Sequence, residues 1–94
     1  VADGAEVARS VLGDGVVVES GAIVRGSVLL PGSRVEADAV VERAILGPDA
    51  TVGRGARVED VAVLGERSVV GAGLRMSGGS LGIDEHLETE HQES

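Results

Sequence analysis

A repeating pattern of aliphatic residues restricts the fold of this sequence more than any other feature. The pattern begins at Val7, Val24, Val41 and Val58, so that the interval between successive repeat starts is constant. A short, fixed period is typical of solenoids, in which each repeat forms one turn and stacks on the next. The sequence therefore predicts a stacked architecture over residues 7–75.

Each repeat divides into three short segments, and an aliphatic residue leads each segment. A smaller residue lies two positions before most leaders, and because side chains alternate between the two faces of a strand, both point to the same, inner side. The predicted leaders are Val7, Leu12, Val18, Val24, Leu29, Val35, Val41, Leu46, Val52, Val58, Leu64, Val70 and Met76, with a weaker continuation at Leu81 and Leu87.

Glycine and aspartate recur at two fixed places between the segments, and both tolerate the left-handed backbone conformation of a sharp corner. One column comprises Gly15, Gly32 and Asp49, and the other comprises Gly21, Asp38, Gly55 and Gly73. Arg67 occupies the first column in the fourth repeat and is expected to break it. Three corners per repeat predict a parallel β-helix of triangular cross-section, with coils stacked about 4.8 Å apart.

The predicted fold class is all-β, with about five coils of 17–18 residues. An amphipathic helix is the alternative, but the spacing of about six residues between leaders fits neither 3.6 nor 3.5 residues per turn. The sequence contains no Phe, Tyr or Trp. This composition favours a narrow interior of stacked aliphatic side chains, because aromatic residues normally supply the bulk of a wider core.

The pattern predicts one repeat domain at residues 1–83 and an acidic tail at residues 84–94, disordered or forming a short cap. Val1 and Ala5 lie one full repeat period before Val18 and Ala22. The chain thus begins inside a repeat, and we expect the parent protein to continue before Val1.

The formal net charge of −8 argues against binding to nucleic acid or to an anionic membrane. No apolar run approaches the ~20 residues that span a bilayer, and no signal-peptide pattern opens the chain. We therefore expect a cytoplasmic location and protein partners. The sequence has no cysteine, which excludes disulfides and thiolate metal sites.

No catalytic set can be assembled on the repeats, because residues 1–83 contain no histidine. Acyltransferases and carbonic anhydrases with similar repeats depend on histidine. His86 and His91 fall in the predicted tail, where solvated side chains are the simpler interpretation and a weak metal pair of His86 with Glu90 is the alternative. We assign no catalytic, cofactor-binding or metal-binding residue to this chain.

An apolar column is the first candidate binding feature. Val11, Val28, Ile45 and Val63 precede leaders and should therefore point outward. An exposed apolar column of this kind often marks an interface, in this case with another domain or subunit. The alternative is that β-branched neighbours simply stack along a ladder.

A pair of arginines is the second candidate. Arg57 and Arg75 occupy the outward position that Ile23 and Val40 hold in earlier repeats. Like charges on adjacent strands repel, so the pair predicts a contact with an anion or an acidic partner. The alternative is that both side chains are solvated or paired with neighbours such as Glu59.

Several segments resemble the accessory domains of sugar-1-phosphate nucleotidyltransferases. The stretches RVEDVAVLGE at 57–66 and LRMSGGSL at 74–81 resemble the C-terminal part of mannose-1-phosphate guanylyltransferases. The stretches SVLLPG at 27–32 and AILG at 44–47 are similar to the same region of glucose-1-phosphate adenylyltransferases. The resemblance implies a left-handed β-helix, whereas the common crossover preference alone would favour a right-handed one.

The same resemblance implies a nucleotide-binding catalytic domain elsewhere in the parent protein. That domain would use Mg²⁺ to join a nucleoside triphosphate to a sugar 1-phosphate, and the β-helix would serve oligomerisation or regulation. The glycine-rich motif of that domain, with its arginine and lysine, has no counterpart in this sequence.

The uncovered strand edges at the ends of the stack predict self-association. Two alternatives remain: a fragment of a hexapeptide-repeat acyltransferase, with its histidine supplied from outside these residues and acyl-CoA bound, and a stand-alone repeat scaffold.

Overall fold

The computed structural model describes residues 4–87, and these residues form fifteen short strands grouped in five coils. The first two coils contain β1 (Glu6–Ala8), β2 (Val11–Leu12), β3 (Val17–Val18), β4 (Ile23–Arg25), β5 (Val28–Leu29) and β6 (Arg34–Val35). The third and fourth contain β7 (Val40–Glu42), β8 (Ile45–Leu46), β9 (Thr51–Val52), β10 (Arg57–Glu59), β11 (Val63–Leu64) and β12 (Val69–Val70). The fifth contains β13 (Arg75–Ser77), β14 (Ser80–Leu81) and β15 (His86–Leu87).

The strands form three parallel sheets of five strands, one for each side of the coil. Sheet A has the order β1-β4-β7-β10-β13, sheet B β2-β5-β8-β11-β14, and sheet C β3-β6-β9-β12-β15. In the register, Val7 pairs with Val24, and Val24 pairs with Val41. These findings confirm the all-β parallel β-helix of about five coils. Its left-handedness stays a prediction from the family resemblance.

The core is a stack of the predicted leaders and the smaller residues beside them. Val24, Leu29 and Val35 of the second coil are completely buried, as are their counterparts in the third coil. Leu12 and Leu81 are only partly buried, because each has a described coil on one side alone. Burying one Val or Leu side chain stabilises a fold by roughly 1.5–3 kcal/mol. The aliphatic columns therefore supply the main stabilisation.

Two serines form an internal ladder along the corner between sheets A and B. The hydroxyl of Ser10 donates to the carbonyl of Ala8 (2.9 Å) and accepts the backbone N–H of Ser27 (3.1 Å). Ser27 repeats this arrangement with Arg25 (2.9 Å) and Ala44 (3.1 Å). The ladder thus satisfies backbone groups that would otherwise be buried without partners.

The two predicted corner columns are confirmed, since their glycines and aspartates all have positive φ. The expectation for Arg67 was wrong. Its φ is 58°, so that it forms the same left-handed corner as Asp49 one coil earlier. Its guanidinium donates to both carboxylate oxygens of Asp84, at 2.6 and 2.8 Å, and this bidentate pair holds the side chain against the next coil.

A third corner, between sheets A and B, escaped the sequence pattern. One left-handed residue forms it in each of the first three coils: Arg9, Gly26 and Arg43. In the fourth coil two consecutive residues, Asp60 and Val61, have φ of 63° and 64°. The extra residue explains the irregular fourth repeat, whose leader Val58 pairs in register with Met76 although the two lie one position farther apart in sequence than earlier pairs.

The solenoid continues past the predicted boundary at residue 83. Asp84 has φ 61° and forms a further corner, and Val70 pairs with Leu87, the weakest of the predicted leaders. Residues 84–87 thus complete a fifth coil rather than begin a tail. The remainder of the predicted tail, with Glu90 and His91, lies outside the described residues.

Ser33→Ala is expected to raise the free energy of unfolding by about 1 kcal/mol. The Ser33 hydroxyl is fully buried and has no hydrogen-bond partner within residues 4–87, so that alanine removes a desolvated polar group. Urea denaturation followed by circular dichroism measures the effect. Ser68→Ala is the control, because the Ser68 hydroxyl donates to the Gly65 carbonyl at 2.8 Å and its loss should destabilise the chain. Equal effects of the two substitutions would contradict this interpretation.

Candidate functional site

The predicted apolar column exists as a continuous row on the outer face of sheet B. Val11 pairs with Val28, Val28 with Ile45, and Ile45 with Val63, one strand after another. Val11, Ile45 and Val63 are exposed, and Val28 is partly buried. Ser80 ends the row in the fifth coil. The structure thus places these side chains in one row, and their role in an interface stays a prediction.

Arg57 and Arg75 are also adjacent, since they pair in register between β10 and β13. Both contact the carboxylate of Glu59: Nε of Arg57 lies 3.7 Å from Oε1, and Nη2 of Arg75 lies 2.8 Å from Oε2. Glu59 lies between them with its side chain largely buried. The chain therefore supplies a carboxylate to both guanidinium groups, which is the alternative that the sequence offered. Contact with an external anion stays a prediction.

Asp60, at the widened corner of the fourth coil, joins three coils. Its Oδ1 accepts from Nη2 of Arg43 in the preceding coil (3.0 Å), and its Oδ2 accepts from the Ser77 hydroxyl in the next (2.6 Å). The hydrogen bond from Ser77 and then that from Arg43 hold the pKa of Asp60 below its usual value. Sequence reasoning missed this cluster, although the extra residue in the fourth repeat marked its position.

The melting temperature is expected to fall on acidification below about pH 4, because Asp60 and Asp84 both have lowered pKa values in the folded chain. A carboxyl group with a lower folded than unfolded pKa stabilises the fold above its unfolded pKa, and this contribution is lost as pH falls through the folded pKa. Thermal unfolding followed by circular dichroism between about pH 6 and pH 2 measures the loss.

The double variant Asp60→Asn/Asp84→Asn is the matched comparison for this acid effect. It removes both titrating groups while leaving Arg43 and Arg67 with neutral acceptors. Its melting temperature should change less with pH than that of the wild type over the same interval. Parallel curves for the two proteins would assign the acid sensitivity to other carboxylates.

The described residues contain no arrangement typical of a metal centre. Within residues 4–87 no group of three or more His, Cys, Asp or Glu side chains could hold a metal ion. His86 lies on the outer face of sheet C, in register with Val69, and is exposed. The same range has no helix long and apolar enough to cross a membrane.

Comparison with solved structures agrees with the solenoid fold. The acetyltransferase domain of PglB from Neisseria gonorrhoeae FA1090 superposes with a TM-score of 0.58 and 24% sequence identity. The match covers 85% of this chain and 52% of the other, so that the present chain spans about half the length of that structure. At this identity the likeness extends to the fold alone.

Comparison with protein families and curated proteins is more specific than the comparison with solved structures, because it identifies a family. No curated protein matches the sequence significantly. The family described as the GMPPB C-terminal domain matches residues 1–90, which is nearly the whole sequence. The match includes the apolar column, the arginine pair and the corner at Asp60. The chain therefore belongs to the GMPPB C-terminal domain family.

Proposed function

We propose that this chain is the accessory β-helix of a sugar-1-phosphate nucleotidyltransferase resembling mannose-1-phosphate guanylyltransferase, and that it serves assembly. The observation that carries the proposal is the family match over residues 1–90. In this proposal the Mg²⁺ and the nucleotide belong to a catalytic domain elsewhere in the parent protein, and no residue described here is assigned to them.

The apolar column on sheet B is the assembly surface in this proposal, and its partner is a second copy of the chain. A specific interface takes roughly 800 Å² from each partner, so that sheet B, whose five strands give a height of roughly 24 Å, would bind together with the corners beside it. Exposed Val and Ile side chains in a continuous row form an apolar centre, and arginines and acids at the neighbouring corners supply a polar rim.

Sedimentation of the chain over a range of concentrations tests this proposal. The wild type should self-associate, and Ile45→Glu should shift it to monomer, because the substitution places a charge at the middle of the apolar row. Val17→Glu is the matched control on sheet C, since Val17 (40% exposed) is about as accessible as Ile45 (43%). A wild type that stays monomeric would refute assembly through this chain. Association that survives Ile45→Glu would instead assign it to the strand edges at the ends of the stack.

The acyltransferase alternative has the PglB likeness in its favour, but at 24% identity this supports the fold only. A fragment of such an enzyme would bind a coenzyme A analogue between neighbouring solenoids. Calorimetric titration with desulfo-coenzyme A should therefore give no saturable signal that Ile45→Glu abolishes if the nucleotidyltransferase proposal holds. Saturable binding that Ile45→Glu abolishes would favour the acyltransferase.

A further inference from the structure

A cleft opens on the third corner, between sheets A and B in the first three coils. Its volume is about 420 Å³, within the range of about 300–1,000 Å³ for small-molecule sites, and its lining consists of Arg9, Arg25, Gly26, Glu42 and Arg43. Three arginines thus line one cleft at this corner. Among the described residues, Arg9 is the one of the three whose charge no carboxylate pairs with.

Gly26 creates the opening between the cationic side chains. Arg9, Gly26 and Arg43 stack at the same corner of successive coils, joined by hydrogen bonds from Gly26 to the Ala8 carbonyl (3.0 Å) and from Arg43 to the Arg25 carbonyl (2.9 Å). Adjacent strands are about 4.8 Å apart, so the backbones of Arg9 and Arg43 are separated by roughly 10 Å. The missing side chain at Gly26 leaves space that both long arginines can reach.

The three arginines differ in the number of ion pairs that their side chains form with described residues. Arg25 contacts Glu6 (3.0 Å) and Glu42 (3.5 Å), while Arg43 contacts Asp60 through a single nitrogen (3.0 Å). Arg9 forms no hydrogen bond or ion pair with the part of the chain that the structure describes. A guanidinium has five N–H donors, so Arg9 and most of Arg43 remain available to a ligand.

The backbone at Arg9 supports a role beyond turn formation. Arg9 has φ 49°, a left-handed conformation that costs a side-chain-bearing residue roughly 1–2 kcal/mol and that Gly26 adopts freely one coil later. At Arg43 and Arg67 an ion pair with the next coil accompanies the same conformation. No described partner of this kind exists at Arg9, so that its side chain remains available for an external contact.

From this geometry we infer that the corner cleft binds a small phosphorylated ligand, with Arg9 and Arg43 as its principal contacts. A phosphate group carries nearly two charges and three peripheral oxygens, so that it can accept hydrogen bonds from two guanidiniums at once. A carboxylate has one charge and two oxygens, so that it would compensate the two guanidiniums less completely. This inference does not depend on the proposed nucleotidyltransferase function, since it requires only residues of this chain.

The test is a titration of the 94-residue chain with inorganic pyrophosphate at constant ionic strength, followed by amide chemical shifts. Saturable binding is expected, with the largest shifts at Gly26 and its neighbours. Arg9→Gln should weaken binding by at least about tenfold, because it removes charge-assisted hydrogen bonds. Arg54→Gln is the matched control: Arg54 is exposed at another corner and likewise has no described partner, so its loss should change affinity less than about twofold.

A second variant at Arg9 distinguishes loss of binding from loss of folding. Arg9→Gly removes the same guanidinium and adopts the positive φ without strain, so the solenoid should be retained while binding is lost. Three outcomes would overturn the inference: no saturable binding, equal weakening by Arg9→Gln and Arg54→Gln, or shifts centred on Arg57 and Arg75. The last of these would assign the anion site to the arginine pair on sheet A.

Discussion

Replacing Leu46 by alanine is expected to lower the free energy of unfolding by about 2–5 kcal/mol. Leu46 is fully buried at the centre of the inward leucine column, with Leu29 and Leu64 stacked on either side. Those neighbours are fixed by parallel strands and cannot collapse into the space that the truncation leaves. The loss therefore combines the transfer free energy of the removed methyl groups with the cost of a cavity.

Chemical denaturation followed by circular dichroism measures this loss, since the sequence has no tryptophan or tyrosine for fluorescence. Leu81→Ala is the matched control. Leu81 belongs to the same column but is only partly buried, so that its truncation should cost clearly less than that of Leu46. Similar losses of stability at the two positions would show that the degree of burial within the column does not determine the cost of truncation.

Gly53→Ala is expected to be the second severe substitution, with a loss of about 3 kcal/mol or more. A Cβ at Gly53 would lie 2.6 Å from the Ala72 nitrogen and 2.8 Å from both the Gly71 carbon and the Val70 oxygen. All three are backbone atoms of the next coil. The Gly53 N–H donates to that same Val70 oxygen at 2.7 Å, so the coils cannot separate without losing this bond.

Gly55→Ala separates crowding from backbone conformation in the same denaturation experiment. Gly55 has φ 70°, but a Cβ there would meet nothing within 4 Å. Its replacement should cost about 1–2 kcal/mol through the left-handed conformation alone. If Gly55→Ala were the more damaging of the two, close approach of the coils would not be the reason for glycine at position 53.

Much of the fold could be predicted because every coil of a solenoid must bury aliphatic side chains at the same positions of the repeat. The constant period placed Val24, Leu46 and Val52 inside, and it placed Ile45 outside. Asp49 was recognisable as a corner because glycine holds the equivalent place in the earlier coils. Arg67 was not, because arginine has no turn propensity of its own and depends on Asp84 in the next coil.

The surface clusters were harder to predict, since they depend on which charges the stacking brings together. Arg43 and Asp60 are 17 residues apart, as are Arg67 and Asp84, so that one period separates the members of each pair. A search for opposite charges one period apart would have found both. The cleft at Arg9 has no such signal, because it depends on an absent side chain at Gly26 and on an arginine without a described partner.

The widened corner at Asp60 and Val61 shows where this architecture accommodates changes in length. A residue added within a strand would turn every later side chain of that strand to the opposite face, because strand side chains alternate. Added at the corner, the extra residue leaves Leu64 buried and Val63 exposed, as their counterparts are in the preceding coil. The corner between sheets A and B can therefore gain single residues or loops, while the aliphatic columns in the interior keep their alignment from coil to coil.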